Sequence, residues 1–486
     1  MRLRLTICLL LLCLLGSAQP FDFNANCRKA YEAVLALKLS EAGNLLKTEK
    51  NNAITPYLQD YIDFTAIYIS DSRSLYEQRI VNREPRMEVL KNADKNSPWY
   101  LFTQAEVQLH WAALGIRFGD YVTSVFSIRR AYKLLEDNRN KYPDFTPNNK
   151  SFGVIEALIG SVPDKYHWAV NMLGMEGSVN GGLKKLADLV ENGKKSDYIF
   201  KDETVIYYAF LLFHLQNEKE KAWQVLRAYG FPKAGNLMSV YSCAHIGIYG
   251  KHNEEALQLL TNAATGKSYS AFPFLEYLHG LALLNKLDTT AGTYFKKFLD
   301  QTEGDSHIKS AWQKLAWQSF LTGDTIGYYQ NMSKAEALGS SLVDADKQAQ
   351  KEAESNRLPN LHLLRARLLF DGAYYQRALD TMSTLKAIDF VGLEDRTEYL
   401  YRMGRVNQEL NKADSALSWY AQAIETGRNL PRYFAANAAY ESGRIYESQG
   451  QKEKARQLYT TCMSFENHEY KNGLDQKAKA ALNRLR

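Results

Sequence analysis

Apolar and polar residues alternate along this chain with the period of a helix, and the pattern is clearest towards the C-terminus. Three segments align there without gaps: NLHLLRARLLFDGAYYQRALDTMSTL from Asn360, EYLYRMGRVNQELNKADSALSWYAQAI from Glu398, and NAAYESGRIYESQGQKEKARQLYTTCM from Asn437. Large apolar residues recur at helical spacing, Leu400, Met403 and Leu410 in one stretch and Leu417, Tyr420 and Ile424 in the next. Each segment therefore predicts two helices, with turns near Gly372, Asn411 and Gly450. A small residue stands in each first helix (Ala366, Gly404, Gly443) and an alanine twelve positions later in each second helix (Ala378, Ala416, Ala455). Antiparallel helices approach closely only where a bulky side chain is missing, so these positions predict the crossing points. The repeat recurs after 38 and then 39 residues.

A small residue in helix A, an alanine in helix B and an aromatic four residues further on resemble the tetratricopeptide repeat. Tyr420 and Tyr459 occupy the aromatic position and Met382 departs from it. The period exceeds that family's usual value of about 34, which predicts lengthened linkers. The same grammar recurs more weakly upstream: from Ala30, from Trp99, three times between Tyr207 and Leu299, and from Trp312. The expected fold is thus all-α, a tetratricopeptide-type helical repeat solenoid of about nine helix pairs with a right-handed superhelical path. No alternating strand pattern interrupts it.

Two stretches break the rhythm. Residues 143–198 hold a Gly- and aromatic-rich helical insert without repeat grammar, and 340–359 reads as a polar linker or helix ending at Pro359. The expected organisation is a signal peptide over 1–18, N-terminal helical repeats over 19–142, the insert over 143–198, central degenerate repeats over 199–339, the polar segment 340–359, and C-terminal tetratricopeptide repeats over 360–486. Within 150–183, a Phe-Gly start, Val162-Pro163-Asp164-Lys165, Gly174-Met175-Glu176-Gly177 and Gly182-Leu183 resemble one block of a eukaryotic tetratricopeptide family associated with outer mitochondrial membranes and lipid-droplet clearance. That resemblance implies shared architecture and no particular function.

Composition adds the compartment. Arg2 and Arg4 precede an apolar run from Leu5 to Leu15, followed by Gly16-Ser17-Ala18. A charged start, a short apolar core and small residues define a secretory signal, with cleavage expected after Ala18. The run is short for a membrane span, and an uncleaved anchor is the alternative. The expected location is outside the bacterial cytoplasm, in the periplasm, with no membrane span after cleavage. Losing Arg2 and Arg4 lowers the formal charge from +6 to +4. That near-neutral balance, with no basic run or aromatic-basic stripe, predicts no nucleic-acid partner. Cleavage also removes Cys8 and Cys13, leaving Cys27, Cys243 and Cys462, which make neither a disulfide framework nor a zinc pattern. Cys462 reads as a small buried hydrophobe.

The chain carries no obvious reaction chemistry. Its nine histidines include no pair at metal spacing, and no HExxH, CxxC, calcium loop or GxSxG occurs. Gly177 to Gly182 is glycine-rich, but no strand precedes it. His279, beside Tyr277 and Gly280, reads as a structural histidine. The expectation is no enzyme, no cofactor and no metal site.

In repeats of the tetratricopeptide kind, helix A lines a concave face. The resemblance implies that this face carries the residues three before, one after and five after the small position. These are Leu363, Tyr401 and Tyr440; Arg367, Arg405 and Arg444; and Asp371, Glu409 and Ser448. An arginine therefore recurs on one register, with tyrosines beside two of the three. One reading makes the arginines intrahelical partners, Arg367 to Asp371, Arg405 to Glu409 and Arg444 to Glu447, at about 0.2–0.5 kcal/mol each. The other makes Arg367, Tyr401, Arg405, Tyr440 and Arg444 a protein-binding groove, because a guanidinium fork grips carboxylates and tyrosine supplies rigid contact area. The expected role is a scaffold that binds a protein or peptide partner. An accessory subunit of an envelope transport or secretion machine is the second reading. A glycan-active enzyme on a helical scaffold, which needs a deep pocket with several carboxylates, is the third.

Overall fold

The computed structural model describes residues 18–162, 170, 174–193, 197–263 and 269–485, so all of the expected signal segment 1–18 except Ala18 lies outside them. The described residues are helical, joined by short turns, and contain no β-strand. They fall into two compact units. The first runs to Gly250 and takes in Glu255–Leu278 and Lys297–Asp305; the second comprises Lys251–Glu254, His279–Lys296 and the chain from Ser306 onward. The division thus runs through the 199–339 stretch.

The helix pairs share one turn. Leu37, Gly119, Asn217, Lys251, Leu287, Gly323, Ala373, Asn411 and Gly450 all have positive φ, each just after the first helix of a pair. At most of them the next amide donates to the carbonyl five residues back, as from Lys38 to Ala33, Asp288 to Leu283, Asp324 to Ser319, Tyr374 to Leu369 and Lys412 to Asn407. This is the Schellman closure, which satisfies the last orphan carbonyls of a helix and turns the chain sharply. In the repeat from Asn360 the left-handed residue is Ala373 and not Gly372, whose φ is −82°. The position seven residues earlier is Ala30, Ala112, Phe210, Ala244, Gly280, Ala316, Ala366, Gly404 or Gly443. A small residue therefore precedes almost every turn by two helical turns. Lys251, Leu287 and Gly323 also stand 36 residues apart, a regularity that the degenerate central side chains conceal.

The crossings have a steric basis. A Cβ on Gly404 would lie 2.4 Å from the Tyr420 ring, and one on Gly443 would lie 2.7 Å from the Tyr459 ring. In the repeat where the partner is Met382, the small residue is Ala366. Ala378, Ala416 and Ala455 are fully buried. Repeats of this kind cover their apolar stripes by stacking, and residues Leu363 to Leu485 form one continuous buried cluster.

Helix pairs also form where no repeat pattern was legible. In the insert, helices Pro147–Gly160 and Val179–Gly193 pack closely at paired glycines, a Cβ on Gly182 falling 2.3 Å from the Gly153 carbonyl. Ile54–Ser70 and Arg83–Lys91 make another pair. Between the alternatives for 340–359, the segment forms helix Asp344–Glu354, which buries Asp346, Ala349 and Ala353 against helix Ile308–Leu321. Asp346 accepts the backbone amides of His307 at 2.6 Å and Ser310 at 2.9 Å, capping that helix from outside. The three cysteines Cys27, Cys243 and Cys462 are free and buried, and burial pushes their thiols up to about 12.

Candidate functional site

The candidate site lies in the second unit, on helices Leu361–Asp371 and Leu393–Glu409 and at the start of helix Phe434–Ser448. Gly404 sets its geometry. Because the glycine seats against Tyr420, the residues around it are fixed in register. Tyr401 is buried at 4% exposure, and Arg405 lies half-buried one turn on. Asn437 Nδ2 donates to the Tyr401 hydroxyl at 2.6 Å, and Arg405 Nη1 donates to the same oxygen at 3.1 Å. The Arg405 guanidinium lies 4.9 Å from the Phe370 ring centroid, and that of Arg367 lies 4.3 Å from the Trp317 ring.

These side chains enclose a cavity of about 180 Å³, lined by Arg367, Phe370, Asp371, Tyr401, Arg402, Arg405 and Tyr433. Three guanidiniums and one carboxylate therefore face one small space. Arg402 is held from behind by Glu398, with Nε 2.7 Å from Oε1. Burial pushes the Asp371 carboxyl up, against the pull of Arg402, Arg367, Lys314 and Arg405. Arg367 Nη2 and Arg405 Nε are buried without a hydrogen-bond partner. A buried, unpaired guanidinium N–H costs free energy that a bound anion would recover. Near Arg367, burial pushes the Lys314 ammonium down to about 7, although Glu352 opposes this, and its Nζ lies 3.9 Å from the Trp317 ring centroid.

The structure thus brings Arg367, Tyr401 and Arg405 together and leaves Tyr440 and Arg444 outside. Tyr401 is not an open contact surface, since its neighbours bury it. Tyr440 packs on Tyr459, with ring centroids 5.6 Å apart. Arg444 is exposed and pairs with Glu441 at 3.0 Å. The intrahelical pairing reading holds in part. Arg367 and Asp371 form no ion pair, and Arg405 to Glu409 is loose at 3.8 Å. Arg444 takes Glu441 in place of Glu447, which is held by Arg484 and Tyr459. Sequence reasoning missed Arg402 and Tyr433. Arg402 lies two residues before Gly404, at none of the three positions expected on the concave face, and Tyr433 precedes its helix and so has no repeat register. No group of three or more His, Cys, Asp or Glu residues placed to hold a metal occurs among the described residues.

A helical array with one recurring left-handed turn and small-residue crossings is an all-α helical repeat protein, with crossings that resemble those of tetratricopeptide repeats. No protein-family model and no curated protein matches the chain. Among solved structures it is similar to the crystal structure of the APC/C hetero-tetramer Cut9-Hcn1, at 11% identity and a TM-score of 0.31, over 94% of this chain and 95% of that chain. No described helix is long and apolar enough to cross a membrane.

Proposed function

We propose that this chain is an exported scaffold that binds a protein partner by seating one acidic side chain, or a chain-terminal carboxylate, among Arg367, Arg402 and Arg405. The observation that carries this reading is the convergence of three guanidiniums on one cavity, with buried N–H groups of Arg367 and Arg405 lacking partners. Its size, about 180 Å³, suits a single anionic group and not a folded segment. Phe370, Tyr401 and Tyr433 add rigid walls, and guanidinium forks favour planar carboxylates. The surplus of positive charge, against Asp371 alone on the lining, selects anions.

The test is fluorescence anisotropy with labelled acidic peptides, each made with a free and an amidated C-terminus. Arg405→Ala should weaken binding by about 1.5–3 kcal/mol if a charge-assisted contact is lost, and Arg405→Lys should recover only part of it. Arg444→Ala should bind as the parent does. Equal binding by Arg405→Ala, folded as the parent, overturns the reading. Export is tested separately by the intact mass of protein recovered from the cell envelope. Loss of residues 1–18 supports cleavage, whereas a full-length, membrane-retained chain supports an anchor.

A further inference from the structure

The first unit contains a cavity of about 700 Å³ between helices Ile54–Ser70, Trp99–Phe118, Tyr121–Lys141, Pro147–Gly160, Lys201–Leu215 and Leu237–Tyr249. Its walls are hydrocarbon, with Phe64, Leu109, Ile128, Ile155, Ile206 and Phe210 among them. Its volume falls within the ~300–1,000 Å³ of small-molecule sites.

Charged groups reach the cavity but are already occupied. Lys150, 1% exposed, lies 2.6 Å from Glu106 and 3.0 Å from Glu203. Glu203 also accepts the hydroxyls of Tyr31 at 3.0 Å, Tyr61 at 3.1 Å and Tyr207 at 2.7 Å, and Ser151 donates to Glu106. His110 is held by Asp60 at 2.8 Å. A sugar needs free donors and acceptors and a stacking indole; here both carboxylates are paired with the ammonium, and no tryptophan is among the lining residues. This cavity therefore does not supply the support that the glycan reading required. An apolar chain needs only the walls.

The mouth indicates what the rest of the ligand is. Ile116, Val125 and Leu158 line the cavity and are also exposed, and Val122 and Phe126 extend the apolar rim along helix Tyr121–Lys141. One turn beyond Val125 on the same face stands Arg129, whose Nε is buried without a hydrogen-bond partner. The paired carboxylates inside repel an anion, and the Arg129 guanidinium, one turn beyond the lining residue Val125 and with its Nε unsatisfied, attracts one. We infer that the first unit binds a single-chain anionic lipid, with its acyl tail in the cavity and its head at the rim near Arg129. An apolar tail gains from leaving water for a dry cavity of this kind, while water there would find few partners.

The test uses the full chain, delipidated, titrated with the fluorescent fatty acid cis-parinarate. Oleate and a lysophospholipid serve as displacing ligands, to separate a free acid from a membrane lipid. Saturable binding of one probe per chain is expected, displaced by at least one of the two. Ala113→Trp places a large ring at an exposed lining position where folding should not suffer, and Val154→Trp fills the cavity from another wall. Each should weaken binding by about tenfold or more, a loss of about 1.4 kcal/mol. Arg129→Gln should weaken oleate but not oleyl alcohol. Absence of saturable binding overturns the proposal, as does full affinity in Ala113→Trp and Val154→Trp proteins with unchanged circular dichroism. Equal binding of oleate and oleyl alcohol, unaffected by Arg129→Gln, overturns the assignment of an anionic head.

Discussion

Gly404→Ala adds one carbon at the tightest crossing of the second unit. Its Cβ would stand 2.4 Å from Tyr420 Cδ1 and 2.5 Å from Cε1, where carbon atoms usually rest about 3.5–4.0 Å apart. The ring would have to retreat by about 1 Å. It has little freedom to do so, because Tyr420 is fully buried and its hydroxyl is held by Gln408, which in turn binds Glu441 at 2.9 Å. Overpacking of this kind costs about 1–3 kcal/mol, and alanine's better fit to a helix returns about 0.5–1 kcal/mol. The expected net loss is about 1–2 kcal/mol. Amide exchange should read it as reduced protection in helices Leu393–Glu409 and Ala413–Thr426, with no change in the first unit, because damage in a stacked array stays with neighbouring repeats. The natural Ala366–Met382 pair supplies the control. Combining Gly404→Ala with Tyr420→Met recreates it, and the two changes should couple favourably by more than about 0.5 kcal/mol. Parent-like protection in Gly404→Ala, or strict additivity with Tyr420→Met, would refute the steric account.

Burial alone would push the Lys150 ammonium down, but Glu106 and Glu203 hold it above its ordinary value. Lys150→Met would strand both carboxylates and should cost about 3–5 kcal/mol in denaturant unfolding of the first unit; a loss under about 1 kcal/mol contradicts the buried network. Lys314 titrates near 7 in the fold against 10.5 ordinarily, so between these values the unfolded chain binds the extra proton. Stability of the second unit should therefore rise with pH from 7 to 9, and Lys314→Met should remove that part of the slope. An identical slope in the variant refutes it. Binding loss in Arg405→Ala and the intact mass of the chain recovered from the cell envelope complete the set.

The legible part of the fold was the part carried by side-chain size. Ala366, Gly404 and Gly443, with their alanines twelve residues on, are small because a facing helix occupies the space. The central repeats keep the turn but vary the chain that makes it. Leu287 and Lys251, like Leu37 and Ala373, hold the left-handed conformation that in the other pairs falls on glycine or asparagine, so turn chemistry gave no sign of it. The insert was illegible for a different reason. Its close contact is glycine on glycine, Gly153 against Gly182, and a glycine in sequence reads equally as a cap, a turn or a crossing.

The candidate site was half legible, and the missing half follows from what periodicity measures. A repeat register locates residues that occupy one position in successive repeats, so it found Arg367, Arg405 and Arg444 together. A cavity is instead built by neighbours in space, whatever their register. Arg402 shares a helix with Arg405 but sits on the flank that Glu398 supports, and Tyr433 reaches the same space from before a helix begins. Arg444 keeps the register yet has no equivalent of Phe370 and Tyr433 around it, so it turns to solvent and to Glu441. The first-unit cavity left even less trace. Its walls are scattered over six helices, and its single buried lysine draws its partners from positions 44 and 53 residues away. Only the folded chain can show that Lys150, Glu106 and Glu203 satisfy one another and leave the apolar walls to a ligand.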